Sequence, residues 1–552
     1  MKKILIIPLL LFLISCAQEE KKKPIERVVW EAFDETSELN EQANHENPRM
    51  RLKLINSKIS DKNAIWEAFE ADLTYNFSEE RYEELKPMVL EQDIPSIQAA
   101  IRDKKMTHEE LVLFYIYRIR KYESDNTLSL NGIISLNPTV VEEARALDKE
   151  AFAEGREYSI YGMPVLLKDN IGTDGMYTTA GAAVLAENSA KDAFITERLK
   201  ENGALILGKA NLSEWAYYLC TGCPLGYSAV GGQTLNPYGR KILESGGSSS
   251  GSGVVTAANY AVAAVGTETS GSILSPSSLN SVVGLKPTIG LLSRTGIVPI
   301  SSTLDTPGPM TKNVIDNAIF LQAMIGKDEA DDASVASDKN YLENLKNSSL
   351  EGKRLGVIKP LLQDSIYSLT IEKLKGLGAE IIEFDPPEVA MNGFLTLLNI
   401  DMKNDLPKYL EAHASENIKV RTVKDVVDYN LSDTLIRVPY GQQLFDGIVV
   451  DPTTDEEFEA VKKGLNETGK TFFDVPMDAH QLDAVLSINN FHAGFAAVAK
   501  YPCLTVPMGY QSNGQPISLT FIGKPFTEDV LLKLGYAYEQ GNKIRKAPKN
   551  YN

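Results

Sequence analysis

The sequence predicts an α/β protein built on a large, mostly parallel sheet with helices covering both faces. Three observations predict it. Short apolar runs such as "GIISL" at 132–136, "MPVLLKDN" at 163–170, "AVAAVGTE" at 261–268 and "RLGVIKP" at 354–360 each adjoin a helical stretch, the alternation expected of a sheet buried on both sides. The 552 residues, 43% hydrophobic and 24% charged, suffice for a sizeable core plus additions or a second domain. No repeat of about 20–50 residues competes with this reading.

Taken in order, the chain opens on "MKK" and the apolar run Ile4–Ile14. A membrane-spanning helix needs roughly 20 apolar residues, so the run reads as the core of a signal peptide, residues 1–15. It ends in "LISC", residues Leu13 to Cys16, which resembles a bacterial lipobox and implies cleavage before Cys16 and lipid attachment to its thiol. A plain secretory signal is the alternative. Residues 16–23 read as a tether, and lipid on Cys16 would anchor the exported protein to the bacterial cell envelope, on the periplasmic or surface side.

Residues 24–92 are polar, with helical periodicity in "NAIWEAFEADL" and "SEERYEELKPMVL", and predict a helical extension laid against a larger domain spanning 93–545. Thr107 and Glu110 have the spacing of a capping box before the stripe Leu111, Phe114, Tyr115 and Ile119. His108, in that first turn, reads as an exposed capping-region residue. Residues 141–155 read as a helix. Residues 390–480 are less regular and more polar, and predict a variable cap over the site. "YPCLTVPMGY" and "LTFIGKPF" read as further strands.

The net charge of −18 disfavours a nucleic-acid partner, which requires a basic footprint. Of the four cysteines, Cys220 and Cys223 form the one close pair. With no second Cys or His pair near them, a zinc site is disfavoured. Two unpaired thiols are the expectation, and a local disulfide is the alternative in an oxidising compartment.

Chemistry concentrates in 244–276, "ESGGSSSGSGVVTAANYAVAAVGTETSGSILSP". A linker does not bury an apolar centre like "VVTAANYAVAAVG". A phosphate loop lacks its lysine here. Gly247-Ser248-Ser249-Ser250-Gly251 fits the esterase elbow centred on Ser249, which needs a histidine base from among positions 45, 108, 413, 480 and 492. A third reading couples the second serine cluster to a lysine, which activates serine only when neutral and therefore buried or held in a positive field. Lys168, at the end of an apolar strand, suits that role because α/β sites lie at the C-terminal ends of strands.

Together "MPVLLKDNI", "GGSSSGSG", "GTETSGSI" and "VVGLKPTIGLLSRTGIVPISSTLDTPGPMTK" resemble the amidase signature family, in order and over about 95–545, with "ILGKANLSEWA" and "GGQTLNPYG" in support. "GTETSGSI" with "GLLSRTGIVPIS" looks nearer to peptide amidases than to transamidosome subunits. The resemblance implies the family's fold, a large mixed, mostly parallel central sheet, and hydrolysis of amides with no cofactor or metal. It also implies a Ser–cisSer–Lys triad with Ser272 as nucleophile, Ser248 as bridging serine and Lys168 as base. Backbone N–H groups of Thr269, Ser270, Gly271 and Ser272 would hold the oxyanion.

Two departures stand out. Many relatives carry Asp and Gly where this chain has Glu268 and Ser270, and many carry Arg where it has Leu274. Without that arginine, an uncharged acyl group is the expected substrate feature: peptide amides first, with aliphatic, aryl or cyclic amides as the alternative. A histidine esterase and a lipid-anchored, non-catalytic binding protein of the same fold are the competing functions. The intact Lys168, Ser248 and Ser272 argue against the second.

Overall fold

The structure, a computed structural model, describes residues 25–552. The expected signal peptide, the tether and Cys16 lie outside the described residues. No helix among the described residues is long and apolar enough to cross a membrane.

Thirteen strands occur among the described residues. β1 (Ile133–Leu136), β2 (Pro164–Lys168) and β3 (Leu205–Ala210) precede the short β4 (Tyr227–Ser228) and β5 (Gly232–Gln233). β6 (Ala263–Glu268), β7 (Val283–Lys286) and β8 (Thr306–Thr311) follow the serine-rich loop. β9 (Arg354–Ile358), β10 (Glu380–Phe384), β11 (Ala484–Ile488), β12 (Cys503–Tyr510) and β13 (Pro516–Ile522) complete the set. Eleven form one sheet in the order β1-β3-β2-β6-β8-β7-β12-β13-β11-β9-β10, while β4 and β5 pair with each other.

The sheet is mixed. Parallel pairing holds in two blocks, β3–β2–β6 and β11–β9–β10. The middle, from β6 through β8, β7, β12 and β13 to β11, is antiparallel, as is β1 on β3. The short link from Tyr510 to Pro516, closed by Gln511 N–H donating to Gln515 O at 2.8 Å, makes β12 and β13 a hairpin. Parallel neighbours need a far longer crossover. Every residue of β2, β3 and β6 is buried, so the α/β reading holds with both faces covered.

The polar N-terminal segment forms short helices, among them Glu70–Tyr75 and Glu79–Val89, whose Leu73, Tyr82, Leu85 and Val89 are buried in the main core. Lys62, paired with Glu123 at 3.2 Å in a buried site, pins this segment to the core. The Thr107–Glu110 capping box is present. His108, however, is buried, because Asp148 reaches across to its Nδ1 at 2.8 Å. The helix expected over 141–155 is shorter, Val140–Leu147.

Residues 390–480 are more regular than their composition suggests. Helices Phe394–Ala412, Val423–Leu431, Gln443–Val450 and Asp455–His480 share an apolar cluster with Trp215, Leu219, Val298 and Ile300. Cys220 and Cys223 belong to the same cluster and are joined as a disulfide, not left as free thiols.

Candidate active site

Lys168 is the last residue of β2, and Thr267 and Glu268 end the adjacent parallel strand β6. Two parallel strands thus deliver their C-terminal side chains to one point. Lys168 is fully buried. Its Nζ lies 2.8 Å from Ser248 Oγ, 2.8 Å from Thr267 Oγ1 and 3.1 Å from Thr267 O. Asn170 Nδ2 donates to the same Thr267 hydroxyl at 3.0 Å. Burial pushes the Lys168 amine down to about 7, against the opposing pull of the Asp305 and Glu268 charges.

The peptide between Gly247 and Ser248 is cis. Ser213 N–H donates to Ser248 O at 3.0 Å, and Ser249 N–H donates to Ser272 O at 3.1 Å, tying the two serine loops together. Gly251 lets this loop press on its neighbour: a Cβ there would lie 2.3 Å from the Asn211 carbonyl oxygen. Ser249, the elbow candidate, is fully engaged. Its hydroxyl donates to Thr267 O at 3.0 Å and accepts from Thr267 N–H at 3.1 Å.

Ser272 is buried save for 8% of its surface, and its hydroxyl makes no hydrogen bond among the described residues. The turn before it is held from beneath by Glu268, which accepts from Gly271 N–H at 2.6 Å, Ile273 N–H at 2.7 Å and Leu274 N–H at 3.0 Å. Gly271 therefore does not offer its N–H to an oxyanion as expected, because the glutamate side chain reaches under the turn and takes it. The N–H groups of Thr269, Ser270 and Ser272 remain without an internal acceptor among the described residues. Thr269 donates its hydroxyl to Asp305 Oδ1 at 2.5 Å, while Ile300 and Ser301 N–H hold Asp305 Oδ2 at 2.8 and 2.9 Å. Burial pushes the Asp305 carboxyl up to about 6. Leu274 is 1% exposed and belongs to a buried apolar cluster with Phe472 and Ala493, so its side chain does not face the cavity.

A cavity of about 840 Å³ opens over Asn170, Thr267, Thr269 and Asp305, and extends outward to Arg294 and Lys500. No histidine hydrogen-bonds Ser248, Ser249 or Ser272 among the described residues, although His413 lines the same cavity. His492 Nδ1 lies 2.7 Å from Ser487 Oγ, with burial pushing its pKa down to about 4; His108 is bound to Asp148 and His45 to Ile242 O. Sequence reasoning singled out Lys168, Ser248 and Ser272 but gave no role to Asn170, Thr267 or Asp305. Asn170 and Thr267 stand close to Lys168 and Ser272 in the quoted motifs, a signal that could have found them, whereas Asp305 lies in a separate motif and joins the site only by packing.

The chain has counterparts among known proteins. The family model described as Amidase matches residues 110–438. A probable amidase of Arabidopsis thaliana is 35% identical over 477 residues, covering 84% of this chain and 92% of the relative. The chain belongs to the amidase signature family. This amidase also resembles a crystal structure of an amidase family protein from Bacillus anthracis, with a TM-score of 0.85 and 38% identity over 90% of this chain and 99% of that one. The native peptide amidase from Stenotrophomonas maltophilia superposes with a TM-score of 0.78 and 35% identity, covering 83% of this chain and 98% of that one. The protein is an amide-hydrolysing enzyme.

Proposed function

We propose that this amidase hydrolyses neutral primary amides, peptide C-terminal amides first, through an acyl-enzyme on Ser272. The observation that carries the mechanism is the buried amine of Lys168, with its three contacts to Ser248 Oγ, Thr267 Oγ1 and Thr267 O. A neutral amine has two N–H bonds and one lone pair. The two N–H bonds donate to Thr267, and the lone pair is left to accept the Ser248 proton. Ser248 in turn takes the proton of Ser272 as the Ser272 oxygen attacks the amide carbon.

The charge that develops on the carbonyl oxygen is met by the N–H groups of Thr269, Ser270 and Ser272. Collapse of the tetrahedral intermediate breaks the C–N bond, and the relay returns a proton to the leaving ammonia. Water then repeats the sequence on the ester and frees the acid and Ser272.

The substrate reading rests on the likeness to a peptide amidase and on Leu274, which stands where many relatives carry an arginine that could pair a carboxylate beside the scissile amide, a charge costly to bury alone. The test is kcat/KM, read by ammonia release, on a dipeptide amide, an aryl amide and malonamate. The dipeptide amide should lead and malonamate should trail; a preference for malonamate refutes the reading. Attachment to the cell envelope through a lipidated Cys16 is part of the proposal and rests on the "LISC" motif.

A further inference from the structure

The loop Asn489–Gly494, "NNFHAG", lies against the turn that precedes Ser272. Asn489 anchors it from behind: its side chain accepts from Ser518 N–H at 2.8 Å, and its carbonyl accepts from Thr520 Oγ1 at 2.5 Å. Its left-handed backbone, with φ at 47°, turns the chain at that point. The next residue, Asn490, is spent on nothing. Only its main-chain carbonyl is engaged, by Ala493 N–H at 3.1 Å, and its carboxamide makes no hydrogen bond among the described residues.

That carboxamide lies against the active-site turn. A Cβ at Gly271 would stand 2.9 Å from Asn490 Nδ2, so only a glycine next to Ser272 leaves room for the amide. The surroundings are open and combine apolar and hydroxyl groups. Phe491 is 62% exposed on the same loop tip, and a Cβ on Gly494 would meet Met391 Cε at 3.6 Å and Ser270 Oγ at 3.8 Å.

We propose that Asn490 is a specificity-determining residue whose carboxamide hydrogen-bonds a second amide unit of the substrate, the peptide group adjoining the scissile amide. A carboxamide offers both a donor and an acceptor with no charge, the complement of a peptide N–H and C=O. When a substrate covers it, an amide lacking that peptide group leaves the carboxamide buried and unpaired, and a site of this kind discriminates by that penalty. Phe491 supplies an apolar surface beside it for the adjoining side chain. The inference rests on the peptide-amide reading above and names the contact that would enforce it.

The test measures kcat/KM for a dipeptide amide and for benzamide in wild type, Asn490→Ala and Asn490→Asp, with the rate of Ser272 labelling by a fluorophosphonate as the check on an intact centre. The wild-type ratio tests the peptide-amide reading; the variants test Asn490. Both variants should lose about 10- to 100-fold on the dipeptide amide, chiefly through KM, and under about threefold on benzamide, with labelling unchanged. Equal losses on both substrates, slowed labelling, or no loss on the dipeptide amide would overturn the role of Asn490. A wild-type enzyme that turns over benzamide but no peptide amide overturns the substrate reading, and the inference with it.

Discussion

Lys168 Nζ lies 2.8 Å from the hydroxyl of Ser248, and both residues are completely closed off from solvent. A charged ammonium gains little in such a place, because burial penalises it more than the nearby carboxylates reward it. A neutral amine with a serine hydroxyl at its lone pair is a base ready to act.

The serines should therefore differ in kind. Ser272→Ala should abolish ammonia release, and Ser248→Ala should lower kcat by at least about a hundredfold. Mass spectrometry after fluorophosphonate treatment should find the label on Ser272. Ser249, whose hydroxyl is bonded to Thr267 O and N–H, should stay unlabelled.

The pH dependence follows from the amine. Its pKa of about 7 means that kcat/KM should rise as pH rises through that value, since the conjugate acid cannot accept a proton. The Asp305 charge pulls this pKa upward. Asp305→Asn removes that pull and should move the rising limb to lower pH, whatever it does to the maximum rate through lost support for Thr269. A limb that stays put or moves to higher pH contradicts this coupling.

Glu268 holds three backbone N–H groups of the turn around Ser272. Glu268→Ala leaves them without an acceptor, at about 1–3 kcal/mol for each one that stays buried and unpaired. Denaturant unfolding should show a loss of a few kcal/mol, and kcat should fall as the turn loses its shape.

Cys16→Ser should convert a lipid-modified, membrane-associated protein into a soluble or uncleaved form, as read by fractionation and intact mass. Unchanged processing and unchanged membrane association would contradict lipid attachment at that thiol.

Much of the site was legible in the sequence because its parts are compact motifs. Lys168 ends an apolar run, and Ser248 and Ser272 flank a small-residue helix and strand that cannot be a linker. The fold class was legible from the same alternation, but an apolar run carries no direction. The antiparallel middle of the sheet follows from connections such as the 511–515 turn. His108 read as exposed because its burial depends on Asp148, 40 residues away. Gly271 read as an oxyanion donor because nothing in "GTETSGSI" announces that Glu268 takes its N–H. Asp305 and Asn490 reach the turn only through tertiary packing, so spacing along the chain could not join them to it.

The central claim is that Lys168 is the base. Its most direct test is kcat for ammonia release by purified, folded Lys168→Ala on an amide that the wild type hydrolyses, measured above pH 7. The account predicts a fall of at least about a thousandfold, with Ser272 labelling slowed in parallel. Near wild-type turnover in that variant would contradict it.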